Sequence, residues 1–275
     1  MTTRRKQPVS PYINERVEAI ALNDILTDRT YQRDLNHGLV RAIEADLDMP
    51  AFGVLLLGMR PDETIACIDG QHRLEVARRL EWATVPAILV LADSPEAEAR
   101  LFLHANRRGA MGTRDKHRAR LRALDEQALR VEAAVAAADL RIEVGRVDEA
   151  EAHQCVRAIG KLYVLDARYG AEMVTRVLRV ARDAWHGESY EGKLLHALAI
   201  VLATYVPDRD GDAVTARRLS RKTLHDVVET ARKRAPRYVD VDAYANAIVL
   251  VHNRTRGPKW NPWVLEEGDE QHADR

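Results

Sequence analysis

The sequence predicts an α/β N-terminal domain, a small mixed sheet with helices, followed by an all-α helical C-terminal domain. Three observations carry this. Strand and helix patterns alternate within the first hundred residues, as they do in a compact α/β unit. Apolar residues then recur every three or four positions through most of the remaining chain, the period of helices that bury one face. The change falls at "SPEAEARLFLHAN" (94–106), where a capping serine, a proline at the first helical position and a glutamate start a helix. The expected organisation is a disordered basic tail over 1–11, an α/β domain over 12–94, a helical domain over 95–262 and a disordered polar tail over 263–275.

Each element has its own signal. "ERVEAIAL" (15–22) reads as a strand, and "LNHGLVRAIEADLD" (35–48) as a helix with Leu39, Ile43 and Leu47 at helical spacing. "FGVLLLG" (52–58) is a short continuous apolar run, as expected of a buried strand, and Pro61-Asp62 reads as a hairpin turn into "ETIACI" (63–68). After Asp69-Gly70 a helix follows with Leu74, Ala77 and Leu80 as its inward stripe, and "TVPAILVLAD" (84–93) returns as a strand. Helical stripes then run through Leu121, Leu124, Ala128, Val131, Val135 and Ala138, and through Met173, Val177, Ala181, Ala184 and Trp185. Two more follow, Leu194, Leu198, Val201 and Tyr205, then Tyr244, Ala247, Ile248 and Val251. Gly170, Gly187, Pro207 and Pro236 punctuate them.

Composition bounds the function. The 275 residues are 46% hydrophobic and 31% charged, enough to bury a sizeable core. Lys+Arg and Asp+Glu both number 42, so affinity for nucleic acid must come from local basic patches rather than from net charge. The longest apolar stretch, "FGVLLLGM" (52–59), is too short to span a bilayer, so no membrane association is expected. No hydrophobic segment follows the basic "MTTRRKQPVSPY" start, and the two cysteines, Cys67 and Cys155, form no CxxC pair. A cytoplasmic protein is the expectation.

The segment that invites chemistry is "IACIDGQHRLEVARRL" (65–80). A strand turning sharply into a helix exposes the first helical N–H groups, which have no internal partners and, with the helix dipole, favour anions. Gly70 allows close approach to the backbone or a positive φ, and Arg73 has the fork to clamp a phosphate. His72 can donate a hydrogen bond or shuttle a proton. Asp69 can cap the helix, orient His72 or help to hold a magnesium ion. A plain capped turn accounts for the same letters, since Asp-Gly is a common turn and Asp a good cap.

"DGQHRLEVARRLEWATVPAIL" resembles the signature segment of the ParB/sulfiredoxin superfamily, in its DGQHR-bearing branch. Two further segments match in order: "LTDRTYQRDLNHGLVRAIEADL" (26–47) resembles the upstream ParB box, and "EAEARLFLHANRRGAMGTRDKHRARL" (96–121) the downstream one. The chain as a whole is similar to ParB-like proteins of actinobacterial phages and mobile elements, down to a closing "HNRTRGPKW" (252–260). The resemblance implies a ParB-like, DNA-associated protein that binds a nucleoside triphosphate or diphosphate with Mg²⁺. Its phosphate site would be formed by Arg33, Gly70, Gln71, His72, Arg73, Asn106, Arg107 and Arg108. Asp69 and His72 are the candidates for catalysis, and Asp69 the candidate magnesium ligand. Nucleotide and DNA are the expected partners, and homodimerisation is left open.

Departures from the family narrow the chemistry. Gln71 stands where sulfiredoxins place their reactive cysteine, and Cys67 lies in an apolar strand where an inert buried thiol is expected. ParB clamps bind CTP through Gly-Glu-Arg-Arg and Glu-Asn-x-x-Arg boxes, and the glutamate is missing here, so a phosphate site is implied without CTP specificity. Free-serine kinases of the superfamily carry DGHHR, and other members are DNases or ATPases, so the resemblance makes a small-molecule kinase, or an ATPase or DNase, the alternative. Glu15, Glu18 and Asp24 are then candidates for the base.

"RRLSRKTLHDVVETARKRAPR" (217–237) holds two basic clusters, and Arg217, Arg218, Arg221, Lys222, Arg232, Lys233 and Arg234 are the candidate DNA-phosphate contacts. A solvated helix face has the same composition, and no helix-turn-helix signature accompanies the run. The ten histidines show no zinc spacing, and Trp185, Trp260 and Trp263 are expected to pack rather than stack on bases.

Overall fold

Two compact units divide the chain, residues 1–125 and 126–275. The computed structural model describes residues 16–106, 111–143, 154–185, 190–220 and 224–261. The tails expected over 1–11 and 263–275 lie outside these residues, as do Glu15, Arg107, Arg108, Gly187, Arg221, Lys222 and Trp263.

The first unit is built on a five-stranded mixed sheet, consisting of β1 (Glu18–Ala21), β2 (Ile25–Leu26), β3 (Leu55–Met59), β4 (Ile65–Asp69) and β5 (Thr84–Leu91) in the order β1-β5-β3-β4-β2. β1 runs antiparallel to β5 and β3 antiparallel to β4, while β3–β5 and β2–β4 are parallel. The hairpin expected at Pro61-Asp62 joins β3 to β4. Asp62 accepts from the backbone N (3.1 Å) and the hydroxyl (2.6 Å) of Thr64, a local turn that fixes the register. Helices α1 (His37–Ala45) and α2 (Met49–Phe52) separate β2 from β3, and α3 (Gln71–Arg79) separates β4 from β5. α4 (Pro95–Ala105) and α5 (Thr113–Arg122) follow.

Side chains along a strand alternate between faces, and here both faces are covered. Leu55, Leu57, Cys67, Val85, Ala87 and Leu89 pack with Leu74 and Ala77 of α3 in one cluster. Ile68 and Val90 face the other way and pack with Ala99 and Phe102 of α4, Ala119 of α5 and Ala123 just past its end. This second layer moves the domain boundary. The expected division at 94/95 is replaced by one after Asp125, because α4 and α5 are needed to bury the second face of the sheet.

Smaller expectations also shift. The strand expected over 15–22 ends at Ala21, and a 3-10 turn, Leu22–Asp24, leads into β2. In α1 the buried residue is Val40, while Leu39 is 43% exposed. Leu80 lies past the end of α3 and is 38% exposed, so Leu74, Val76 and Ala77 carry the inward face.

The second unit comprises α6 (Glu126–Ala137), β6 (Arg141–Ile142), β7 (Cys155–Val156), α7 (Ile159–Trp185), α8 (Gly192–Tyr205), α9 (Asp210–Leu219), α10 (Leu224–Arg234) and α11 (Val241–Asn253). It is not purely helical, since β6 and β7 form a short parallel pair. Gly170 breaks α7 with φ 82°. Val177, Ala181, Ala184, Trp185, Leu194, Leu198, Val201, Tyr244, Ala247, Ile248 and Val251 share one core, as their spacing predicted. The stripe read through Leu121 to Ala138 is interrupted: it spans the junction of α5 and α6, and Leu124 at that junction is 59% exposed. Among the described residues no helix is long and apolar enough to cross a membrane.

Candidate functional site

The DGQHR segment forms a strand-turn-helix: Asp69 ends β4, Gly70 turns, and Gln71 opens α3. Gly70 takes φ 102°, ψ 20°, and a Cβ there would meet Leu55 Cγ at 2.9 Å and Arg73 Nη2 at 3.0 Å, so only glycine fits. No side chain caps α3. The plain capping role of Asp69 is therefore not realised, and its carboxylate instead accepts from Arg73 Nη2 at 3.3 Å.

In front of this turn lies a cavity of about 180 Å³. Its polar wall includes Gln32, Arg33, Asp69, Gly70, Gln71, His72, Arg73 and Asn106, and its apolar wall Leu39, Ile43, Ile68 and Phe102. Of the expected phosphate residues, Arg33, Gly70, Gln71, His72, Arg73 and Asn106 thus line one space.

Their hydrogen bonds divide the labour. Arg73 donates Nη1 to the carbonyls of Phe52 (2.9 Å) and Val54 (3.2 Å), tying α3 to the chain entering β3. With its contact to Asp69, three of its five N–H groups are committed to the fold. Gln71 Nε2 donates to the Arg33 carbonyl at 2.9 Å. The Asn36 backbone N–H donates to His72 Nε2 at 3.1 Å, which makes that nitrogen an acceptor and leaves the proton on Nδ1. Among the described residues Nδ1 has no partner. Burial first, and then the nearby Arg33, push the His72 imidazole below its usual pKa against the opposing pull of Asp69, so it stands neutral. Asn106 donates Nδ2 to the Phe102 carbonyl and closes the end of α4.

Arg33 differs from all of these. Its carbonyl holds Gln71, yet its guanidinium has no hydrogen-bond or ion-pair partner among the described residues. It lines both this cavity and a smaller neighbouring cleft of about 80 Å³ that also includes Arg29, Gln71 and Arg78.

The loop between β2 and α1 that carries Arg33 is held by a buried polar network that the sequence did not announce. Glu98, wholly buried in the first turn of α4, accepts from Arg60 Nε and Nη2, both at 2.7 Å, and from the Tyr31 hydroxyl at 3.2 Å. Arg60 Nη2 also donates to Asp28 at 2.9 Å. Burial opposes ionisation of Asp28, but hydrogen bonds from Thr30 and Arg60 outweigh it and its carboxyl titrates below the ordinary value. Gln32, 2% exposed, donates to the carbonyls of Cys67 (2.7 Å) and Ile68 (3.1 Å). The signal available in the sequence was a lone Arg60 after an apolar strand and an acid within "SPEAEAR", neither of which advertises its partner.

Other candidates fall outside the cavity. Cys67 is free and fully buried, and burial pushes its thiol up to about 12, in keeping with the inert role expected. Glu18 lies in β1 and Asp24 in the 3-10 turn, and neither lines the cavity. Among its described lining residues Asp69 is the single carboxylate, and no group of three or more His, Cys, Asp and Glu among the described residues is placed to hold a metal ion. One carboxylate already bonded to a guanidinium does not fit a resident magnesium ion.

On the second unit Arg217, Arg232, Lys233 and Arg234 are exposed, with Lys233 paired to Glu229 at 2.8 Å. Arg218 points elsewhere: Nη1 donates to the Pro258 carbonyl (2.8 Å) and meets His252 Nε2 at 3.0 Å. Gly257, at φ 123°, lies so close over Arg218 that a Cβ would collide with it.

No protein-family model and no curated protein matches the chain. Among solved structures it is similar to C-terminally truncated ParB from Caulobacter crescentus. The structure complexed to the centromeric parS site shares 13% identity over 73% of this chain and 98% of that one, with a TM-score of 0.35. The structure complexed with CTP-gamma-S shares 11% over 74% and 98%, with a TM-score of 0.30. Likeness of this degree does not extend to function.

Proposed function

We propose that the chain is a ParB-like, DNA-associated protein of phage or mobile-element type whose α/β unit takes the phosphate end of a nucleotide at the DGQHR turn. The observation that carries this reading is Arg33: a guanidinium without a partner among the described residues, on the wall of a cavity bounded by the uncapped start of a helix. Both features favour an anion. At about 180 Å³ the cavity is smaller than the roughly 300–1,000 Å³ of whole small-molecule pockets. It suits a phosphate and its immediate attachment, with the remainder of a nucleotide outside. Any magnesium would be carried by the phosphate oxygens themselves, because Asp69, the single carboxylate among the described lining residues, is already bonded to Arg73.

Arg33→Gln is the informative variant, because Arg73→Ala would also loosen the Phe52 and Val54 carbonyls. In titrations with ATP, ADP, CTP and GTP, with and without Mg²⁺, Arg33→Gln should lower affinity by about 10- to 100-fold, the worth of one hydrogen bond to a charged group. Its melting temperature should stay at the wild-type value. Unchanged affinity in this variant, or no binding by the wild type, removes the reading. Transfer of labelled phosphate to free serine, nucleotide hydrolysis or nicking of plasmid DNA would move the assignment to the enzymatic alternative.

The DNA half rests on the exposed arginines of α9 and α10. Arg232→Gln/Arg234→Gln should weaken binding to duplex DNA of any sequence and flatten its salt dependence by about two phosphate contacts. A gel shift that is indifferent to this pair would confine the proposal to nucleotide binding.

A further inference from the structure

We infer that the Asp28–Arg60–Glu98–Tyr31 network is a positioning device for the anion site: it fixes the loop that carries Arg33 and so sets ligand affinity from side chains that do not line the cavity. The inference rests on the phosphate-site reading above and adds to it a control point.

The loop is fastened at Asp28, Thr30, Tyr31 and Gln32, ahead of Arg33. Asp28 accepts from the Thr30 backbone N–H (2.9 Å) and hydroxyl (2.6 Å), and its carbonyl accepts from Gln32 N–H at 3.1 Å. Arg60 bridges Asp28 to Glu98. Tyr31, wholly buried, reaches Glu98 and stacks obliquely on Phe102 with ring centroids 5.6 Å apart, and Phe102 itself lines the cavity. Gln32 is locked onto β4, and Arg118 donates to its carbonyl at 3.1 Å. Beyond Arg33 the chain is held again, by Gln71 on the Arg33 carbonyl and by His72 on the Asn36 N–H. Asp28, Tyr31, Arg60 and Glu98 are absent from the walls of both cavities. A long cation whose backbone is fixed on both sides loses less freedom when it closes on an anion, and that saving appears as affinity.

The test is an NMR titration with inorganic phosphate, which follows weak binding, on wild type, Asp28→Asn, Tyr31→Phe, Arg33→Gln and the double variant Asp28→Asn/Arg33→Gln. Thermal melts run in parallel. Both substitutions in the network are near-isosteric, and each removes a contact without leaving Glu98 unpaired from Arg60. Asp28→Asn and Tyr31→Phe should each weaken phosphate binding by about threefold to tenfold, the worth of one long side chain left unordered before binding. In the Arg33→Gln background the added Asp28→Asn should change affinity less than about twofold, because the side chain that the network positions is gone. A network serving stability alone would lower the melting temperature of both variants and leave the folded protein's affinity at the wild-type value, which overturns the inference while the phosphate site stands. An equal Asp28→Asn effect with and without Arg33 overturns it as well. Absence of phosphate binding by wild type removes the site reading and this inference together.

Discussion

Arg60→Ala is expected to destabilise the α/β unit by about 3–5 kcal/mol, the cost of breaking a buried ion pair by removing one partner. Glu98 is wholly buried and takes both of its strong hydrogen bonds from Arg60, so truncation leaves a carboxylate with only the Tyr31 hydroxyl in a site closed to water. Asp28 loses its guanidinium at the same time. Arg79→Ala provides the contrast. Its partners Glu75 and Glu44 are partly exposed, and it should cost less than about 1 kcal/mol although it too ends two ion pairs. Urea unfolding of the three proteins, followed by circular dichroism, measures the difference. Equal losses for Arg60→Ala and Arg79→Ala would show that burial of Glu98 does not govern the energetics. Arg60→Met/Glu98→Leu should recover part of the loss, since hydrophobic replacement of a buried pair is often neutral, leaving Asp28 and the Tyr31 hydroxyl as the residual cost.

The same network marks where sequence reading stops. Strands with continuous apolar letters, "LLLG", "IACI" and "AILVLA", were legible because a strand buried on both faces needs them. β2 and α2, two and four residues long, carry too few positions for any period to register. Periodicity tells that a helix has a buried face but not which core it faces, so α4 and α5 read as the start of the helical body although they roof the sheet.

At the site, the turn and its glycine were legible because only a strand-to-helix corner with positive φ requires that letter order. The direction of each polar side chain was not. Gln71 and His72 turn onto the neighbouring loop and Arg73 onto two carbonyls, partners lying 19–38 residues away in the chain. Arg33, the side chain left facing the cavity, stood out by its place in the upstream box and not by its letter. Glu98 looked like an ordinary acid in a first helical turn, and its burial depends on an arginine 38 residues earlier.

Acidification should destabilise the helical unit through His252. Its ring is 2% exposed and stacks on Trp260 with centroids 3.4 Å apart and planes 2° from parallel. Arg218 can only donate, so His252 Nε2 is an acceptor and the imidazole is neutral. Burial, reinforced by Arg218 and Lys259 and opposed by Asn253, holds its pKa down to about 4 against an ordinary 6.5. The unfolded chain therefore takes up a proton at a pH where the folded one refuses it. The stabilisation from keeping this ring neutral is complete above about pH 6.5 and is lost as pH falls toward 4, about 3 kcal/mol in all. Carboxylates that titrate in the same range add slopes of their own, so the measurement is a difference. Urea unfolding of wild type and His252→Gln at pH 7 and pH 4.5 should show the wild type losing about 2–3 kcal/mol more than the variant. Glutamine keeps an acceptor for Arg218 and binds no proton. Parallel losses in the two proteins would mean that His252 is not the group that senses pH, and that Arg218 can turn away from the ring at little cost.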